Sequence, residues 1–336
     1  MTTLPEQPGQ PDLSPPSALR TSPRSRRRLL QNLGPVAVLV VLCLGFEIAS
    51  RHFLTIANLA SIAEAAAVPV ILASGLSFVI ILGAIDLSLE GIMAASSMTV
   101  SLLAANNVNG NHWGVWAIIA ALGVGIAFGL VNGVLNALLR MPSLIVTLGS
   151  WFIGLGIASV LFPGQVPSIR AHLVLDIGGS VTIGIAVCVM LALHLVLRYT
   201  HLGRMIYAIG GAEHTLTVTG LRIPVFKIAA FVVSGGCAGL AGVLLSAQLG
   251  DGNANIGDGL LFPAVSACVL GGTLLSGGMG GALQSALGAV TLEALNNGLI
   301  QIGAGPYVRN IISGAVIVTV VAASGLHLRR KLRIVK

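Results

Sequence analysis

Apolar runs of about 20 residues, each long enough to cross a bilayer core as a helix, recur along this chain from Gly34 onward. Asp, Glu, Lys and Arg make up 9% of the 336 residues, whereas a soluble domain carries about 25%. That is too little charge to cover so many apolar runs in water. A membrane β-barrel would instead show alternating segments of about ten residues, and the sequence has none. An all-α polytopic membrane protein is therefore expected.

Ten spans are predicted, at 34–50, 58–83, 85–105, 114–139, 142–163, 176–197, 226–248, 260–275, 281–303 and 307–326. The second and third meet without a loop, which leaves about eight or nine crossings open as well. Residues 1–33, rich in Pro, Ser and Arg, are expected to form a disordered basic tail, and 327–336 a second basic tail. The basic stretch ahead of Val36–Phe46 has the look of a signal peptide. The long tail and weak cleavage context favour an uncleaved first span.

Lys and Arg accumulate on the cytoplasmic side of membrane proteins. Ten crossings place both tails there, together with Arg140, Arg198, Arg204, Arg222 and Lys227, and leave Arg51, Arg170 and Arg309 outside. This distribution accounts for the net charge of +7, and the tails lack the interleaved aromatics of a nucleic-acid groove. Cys43, Cys188, Cys237 and Cys268 lie far apart in apolar runs. They read as small buried hydrophobes, with neither disulfide nor metal spacing.

Glycine stripes at four-residue spacing, Gly125–Gly129–Gly133, Gly235–Gly239 and Gly277–Gly281, predict close helix packing in lipid. Polar residues inside spans are costly and mark candidate sites. In GAIDLSLEG (83–91), Asp86, Ser88 and Glu90 mark either a solvated turn or a broken helix beside a solute path. Asn132 and Asn136 share a helical face with the first glycine stripe, and Glu293, Asn296 and Asn297 form a second polar stripe. Both are expected to face the bundle interior, either as interhelical hydrogen bonds or as a hydrated path. Glu64 stands alone among Ala and Ile.

The segment YTHLGRMIYAIGGAEHTLTVTGLRIPVFK (199–227) is the one long charged stretch between apolar runs. Gly210–Gly211 should break a helix that starts near Arg204, and a second short helix from Glu213 should close at Gly220. A solvated connector would be shorter and less apolar, so a docking element for a soluble partner is expected. The chain has no GxxxxGK[ST] phosphate loop, no HExxH and no GxSxG. It is read as a non-enzyme without catalytic residues, and uphill transport would draw on an ion gradient or an ATP-binding partner.

His201–Leu221 resembles the coupling loop of the permease subunits of monosaccharide ABC importers, the ribose, arabinose, xylose and galactose type. IDLSLEG (85–91) is similar to the family's IDLSVGS, NGVLNALLRMPSLIVTLGS (132–150) to its NG…P.FIVTLGT segment, and 257–303 to its late glycine-rich pattern. The resemblance spans residues 35–326. It implies a bacterial inner-membrane permease domain over 34–326 with a cytoplasmic coupling loop at 198–227, and the fold of the vitamin B12-type (type II) importers. The implied partners are a cytoplasmic ATP-binding cassette ATPase, a second permease copy or paralogue, a periplasmic sugar-binding protein and membrane lipid. ATP and Mg would belong to the ATPase, with no cofactor or metal on this chain. The coupling role carries over to Gly203, Arg204, Tyr207, Gly210, Gly211, Glu213 and Gly220. The translocation path carries over to Asp86, Ser88, Asn132, Ser143, Thr147, Asn296 and Asn297.

The sequence departs from the family at Glu90, where a small residue is usual, and at Leu261, where an acidic one is common. Pro263, Ser266 and Cys268 also interrupt the usual apolar run. These changes leave the choice of sugar open. Permeases for branched-chain amino acids or nucleosides share the architecture. An ion-coupled secondary transporter would show inverted repeats, and no self-similarity between the halves is found.

Overall fold

The computed structural model describes residues 24–162, 164–177, 179–217 and 220–332. The tail expected over 1–33 lies outside the described residues up to position 23, but 24–33 are helical rather than disordered, as are 327–332 of the second tail, while 333–336 lie outside the described residues. The helices are α1 (Arg24–Ser50), α2 (Ile56–Ile81), α3 (Leu89–Leu103), α4 (Val115–Ala137), α5 (Ser143–Leu161), α6 (His172–Leu175), α7 (Ser180–Tyr199), α8 (His201–Thr217), α9 (Ile223–Leu249), α10 (Leu261–Leu270), α11 (Ala282–Gln301) and α12 (Pro306–Leu332). Each predicted span holds one of them, and α8 falls in the charged segment. Among the described residues five helices, α2, α4, α5, α7 and α9, are long and apolar enough to cross a membrane. Among the described residues no strand forms, and only isolated bridges (Asn106–Ile169, Ser168–Asp251) tie loops together at one end.

Helix α2 is the axis of the bundle. It is apolar on every side, and every residue from Ala66 to Ile81 is buried, as expected of a helix ringed by others. The helices α3, α7, α9, α10 and α11 pack around it or around its neighbours. Helices α4, α5 and α7 turn large apolar side chains outward, among them Ile126, Phe152 and Leu191, as lipid contact requires.

Two of the glycine stripes meet each other. A Cβ on Gly125 would strike the Gly235 carbonyl and lie 2.9 Å from the Gly239 Cα, and one on Gly133 would lie 2.7 Å from the Ile228 Cα. Backbone thus rests on backbone along the whole α4–α9 seam. The third stripe differs from expectation. Gly277 and Gly281 precede α11 in a loop, where Gly277 adopts φ 84° and lies against Ile81 and Gly83. All four cysteines are free. Cys237 and Cys268 are buried as expected, but Cys188 is exposed on α7.

Of the helices that fall in predicted spans, α3 and α10 are the ones far too short to cross a core of about 30 Å. With 15 residues, α3 extends about 22 Å, and the ten of α10 about 15 Å, at about 1.5 Å per residue. Irregular legs precede both, residues 82–88 before α3 and 250–260 before α10. The α3 start lies level with the middle of α5, because Gly91 packs on the backbone of Trp151 and Gly154. Non-helical backbone at that depth survives only when protein satisfies it.

Candidate functional site

A buried polar knot satisfies the first leg. The Asp86 carboxylate accepts hydrogen bonds from the Ser88 amide (3.0 Å), the Ser88 hydroxyl (2.5 Å) and the Ser234 hydroxyl of α9 (2.7 Å). Asn132 on α4 donates its amide to Ser88 Oγ at 2.9 Å and accepts from the Ser150 hydroxyl of α5. Ser143 Oγ accepts from the Ile85 amide at 3.2 Å, and Thr147 donates to the Ser143 carbonyl at 2.8 Å. Five predicted path residues, Asp86, Ser88, Asn132, Ser143 and Thr147, therefore converge on one bend. Asp86, Ser88, Asn132 and Thr147 are wholly buried, which removes the solvated-turn alternative.

Asn296 and Asn297 do not join this knot. They lie on α11, where Asn296 Oδ1 accepts from Arg309 of α12 at 3.3 Å and Asn296 also hydrogen-bonds Glu293. Asn297 Oδ1 and Arg309 Nε are buried without a partner among the described residues. Asn136 donates to the Met141 carbonyl at the end of α4, and Glu64 lies exposed, its Oε1 near the Gly179 backbone at the start of α7.

Helix α8 carries the second group. It kinks at Ala212 (φ −162°, ψ 58°), beside the predicted glycine break, and Gly220 sits at φ 76° just beyond it. Its inner face buries Ile206 and Ile209 among Phe78, Ile81 and Leu82. Gly203 lies on the Leu197 backbone, and Gly210 lies against the Ile81 carbonyl and the Gly278 amide. The Tyr207 hydroxyl donates to the Gly280 carbonyl at 2.7 Å, and burial pushes this phenol above its ordinary pKa against the opposing charge of Arg198. Arg204, Gly211 and Glu213 face outward, with Glu213 paired to Lys227 at 2.6 Å. The predicted coupling residues thus divide into an inner face that grips the bundle and an outer face open to a partner. A groove of about 690 Å³ adjoins that outer face, lined by Asn136, Arg140, Met141, Glu213 and Lys227.

The inner face touches the end of α2 and the loop between α10 and α11 at once. The Gly278 amide donates to the Ile81 carbonyl at 2.8 Å, so the end of α2 and the loop before α11 are joined directly under Gly210. Sequence reasoning missed Ser150, Ser234 and this loop. Ser150 could have been found, since Ser143, Thr147 and Ser150 stand at i, i+4 and i+7 on one face of an apolar helix. A lone Ser234 and a backbone carbonyl at Gly280 leave no comparable mark.

Residues 58–321 match the protein family described as "Branched-chain amino acid transport system / permease component". The ribose import permease protein RbsC of Escherichia coli (strain K12) is 32% identical over 87% of this chain and 93% of its own length. The L-arabinose ABC transporter permease protein AraH of Azospirillum brasilense is 29% identical over 94% of both. The D-allose transport system permease protein AlsC of Escherichia coli (strain K12) is 29% identical over 85% of this chain and 89% of its own. No solved structure matches.

Proposed function

Since the chain belongs to this family of transport permease components, a non-enzymatic part of ABC transporters, we propose that it is the membrane-spanning subunit of an ATP-driven importer for a monosaccharide. The sugar assignment draws on the relatives named for ribose, arabinose and allose. The observation that carries the mechanism is the seat of α8. A helix with an open outer face packs its Gly210 backbone on the end of α2 at Ile81 and on the loop before α11 at Gly278.

On this reading a cytoplasmic ATPase binds the outer face of α8 around Arg204, Gly211 and Glu213. Its closure displaces α8, and Gly210 and Tyr207 transmit that displacement to the end of α2 and to the loop before α11. The legs at 82–88 and 250–260 then shift, and the path opens to each side in turn. The knot of Asp86, Ser88, Asn132, Ser143 and Thr147 shapes one wall of the path, and the α11 surface with Asn296 and Asn297 supplies another. The type II fold, ten crossings, cytoplasmic termini in a bacterial inner membrane, a second permease copy and a periplasmic sugar-binding protein complete the assembly. The charge asymmetry favours this orientation, since the α8 end also carries Arg140, Arg198, Arg222 and Lys227.

Affinity purification of the tagged chain from its native membrane tests the reading. An ATP-hydrolysing subunit should co-purify, and ATP-dependent uptake of radiolabelled D-ribose, L-arabinose or D-allose should need the chain. Uptake that follows an ion gradient with no ATPase bound would refute it, and uptake of leucine in place of sugars would refute the solute class.

A further inference from the structure

Glu90 is a buried carboxylate that the polar knot does not use. Glu90 is 5% exposed and stands in the first turn of α3. Its Oε1 accepts a hydrogen bond from the Leu261 amide, the first residue of α10, at 3.0 Å across a sequence separation of 171. Gly259 and Leu260 immediately precede that amide in the chain. Gly259 is left-handed (φ 82°) and Leu260 right-handed (φ −91°, ψ −20°), a succession that turns consecutive amides to one side as an anion-binding nest. The cap position of α10, Leu260, offers no side-chain bond of its own. One carboxylate thus serves the N-termini of two half-helices, α3 from within its first turn and α10 from across the bundle.

The contact closes a mechanical circuit. Helix α8 holds the end of α2 and the loop after α10 through Gly210 and Tyr207. Helix α10 runs from that loop back to Leu261, and Glu90 joins Leu261 to α3. The seam beside it is tight, since a Cβ on Gly257 would lie 3.1 Å from the Glu90 Cα and 2.7 Å from Met93 Cε.

We infer that Glu90 is a positioning residue for translocation, which locks the N-terminus of α3 to that of α10 so that the two broken helices move as one body when α8 is displaced. Without the lock, displacement of α8 would move α10 and leave α3 behind, and ATP would be spent without transport.

The assembled transporter, with whatever ATPase co-purifies, is reconstituted in liposomes, supplied with the sugar-binding protein of its native cells, and assayed for uptake of radiolabelled D-ribose, L-arabinose and D-allose and for ATP hydrolysis. Glu90→Ala should lower the maximal uptake rate by at least about tenfold, with KM and ATPase turnover near wild type, so that the ATP spent per sugar rises. Glu90→Gln keeps an acceptor for the Leu261 amide and should hold uptake within about threefold of wild type. Gly257→Val, which wedges the seam without touching the carboxylate, should uncouple as Glu90→Ala does. If Glu90→Ala fails to accumulate, Glu90→Gln and Gly257→Val are compared at matched abundance. A wild-type ratio of ATP to sugar in Glu90→Ala or Gly257→Val overturns the inference, as does a Glu90→Gln protein as uncoupled as Glu90→Ala. The inference rests on the importer reading. Failure of the wild-type protein to bind an ATPase or to take up sugar refutes that reading, whereas active wild type with normally coupled variants refutes the lock alone.

Discussion

Adjacent glycines in α8 should behave in opposite ways. A Cβ at Gly210 would overlap the Ile81 carbonyl oxygen and lie 2.6 Å from the Gly278 nitrogen, whereas one at Gly211 would meet nothing within 4 Å. Both obstacles at Gly210 are backbone in the packed centre and cannot rotate away, so Gly210→Val must lift α8. Such overpacking costs about 1–3 kcal/mol, and the lift breaks the bond from Tyr207 to Gly280, worth about 1 kcal/mol. The two buried isoleucines of α8, Ile206 and Ile209, hold it down by about 1.5–3 kcal/mol each. The substitution therefore removes most of what seats α8 while leaving α2 and its neighbours in place. The ratio of docked to undocked α8 should fall by roughly 30- to 700-fold, at about 1.4 kcal/mol per tenfold, and the labelling rate of a residue under α8 should rise in proportion. A cysteine placed at buried Ile206, with the native cysteines replaced by serine, reports this through its reaction with a hydrophilic maleimide in inverted vesicles. It should be protected in the parent and in Gly211→Ala, and labelled in Gly210→Val, which should also lose ATP-dependent uptake. Protection and full uptake in Gly210→Val, or equal damage from Gly211→Ala, would refute the seating of α8 on the end of α2 and the loop before α11.

The α4–α9 seam should tolerate no side chain. Gly125→Leu should cut membrane abundance and the thermal midpoint in detergent by an overpacking cost of about 1–3 kcal/mol or more, while Gly123→Ala, with open space around it, should be silent in the same thermal scan. Asp86→Ala leaves the Ser88 amide and the Ser88 and Ser234 hydroxyls without their acceptor, at about 1–3 kcal/mol per stranded group. It should be less stable by scanning fluorimetry than Asp86→Asn, which keeps one acceptor. The Glu213–Lys227 pair is partly exposed, with side-chain accessibilities of 45% and 19%. Lys227→Met should change stability by less than about 1 kcal/mol, and any larger loss of uptake at equal abundance would then report on partner binding.

Features written in residue type were legible in the sequence, and features written in backbone were not. The apolar runs placed ten of the helices among the described residues, all but α6 and α8, because about 20 consecutive apolar residues admit few other structures. Gly125, Gly129 and Gly133 could be recognised as a packing face from their spacing, and so could Gly235 and Gly239. That these two faces meet each other is a matter of tertiary topology, which spacing does not carry. Asp86, Ser88 and Asn132 stood out because polar groups are rare in spans, yet the spacing could not tell a solvated turn from a buried bend. The grip of α8 depends on the carbonyls of Ile81 and Gly280, and the hold on Glu90 on the Leu261 amide. Any residue type supplies such groups, so neither partner announces itself.

The same distinction bears on how displacement of α8 could cross the bundle. A bend at membrane depth must keep every amide and carbonyl bonded, because each stranded group costs several kcal/mol in hydrocarbon. The first leg meets this requirement with side chains from α4, α5 and α9, and the start of α10 meets it with Glu90 from α3. Either leg can therefore shift cheaply only if its donors and acceptors travel with it. Piecemeal rearrangement would strand the Leu261 amide and the Glu90 carboxylate, whereas motion of α3 together with α10 keeps that bond. Sliding is then confined to seams without polar bonds, and the glycine-lined α4–α9 contact is one of them. Hydrogen-bonded joints should accordingly lie inside the moving bodies and glycine seams between them. Substitutions at the joints are expected to uncouple transport, and substitutions along the seams to arrest it.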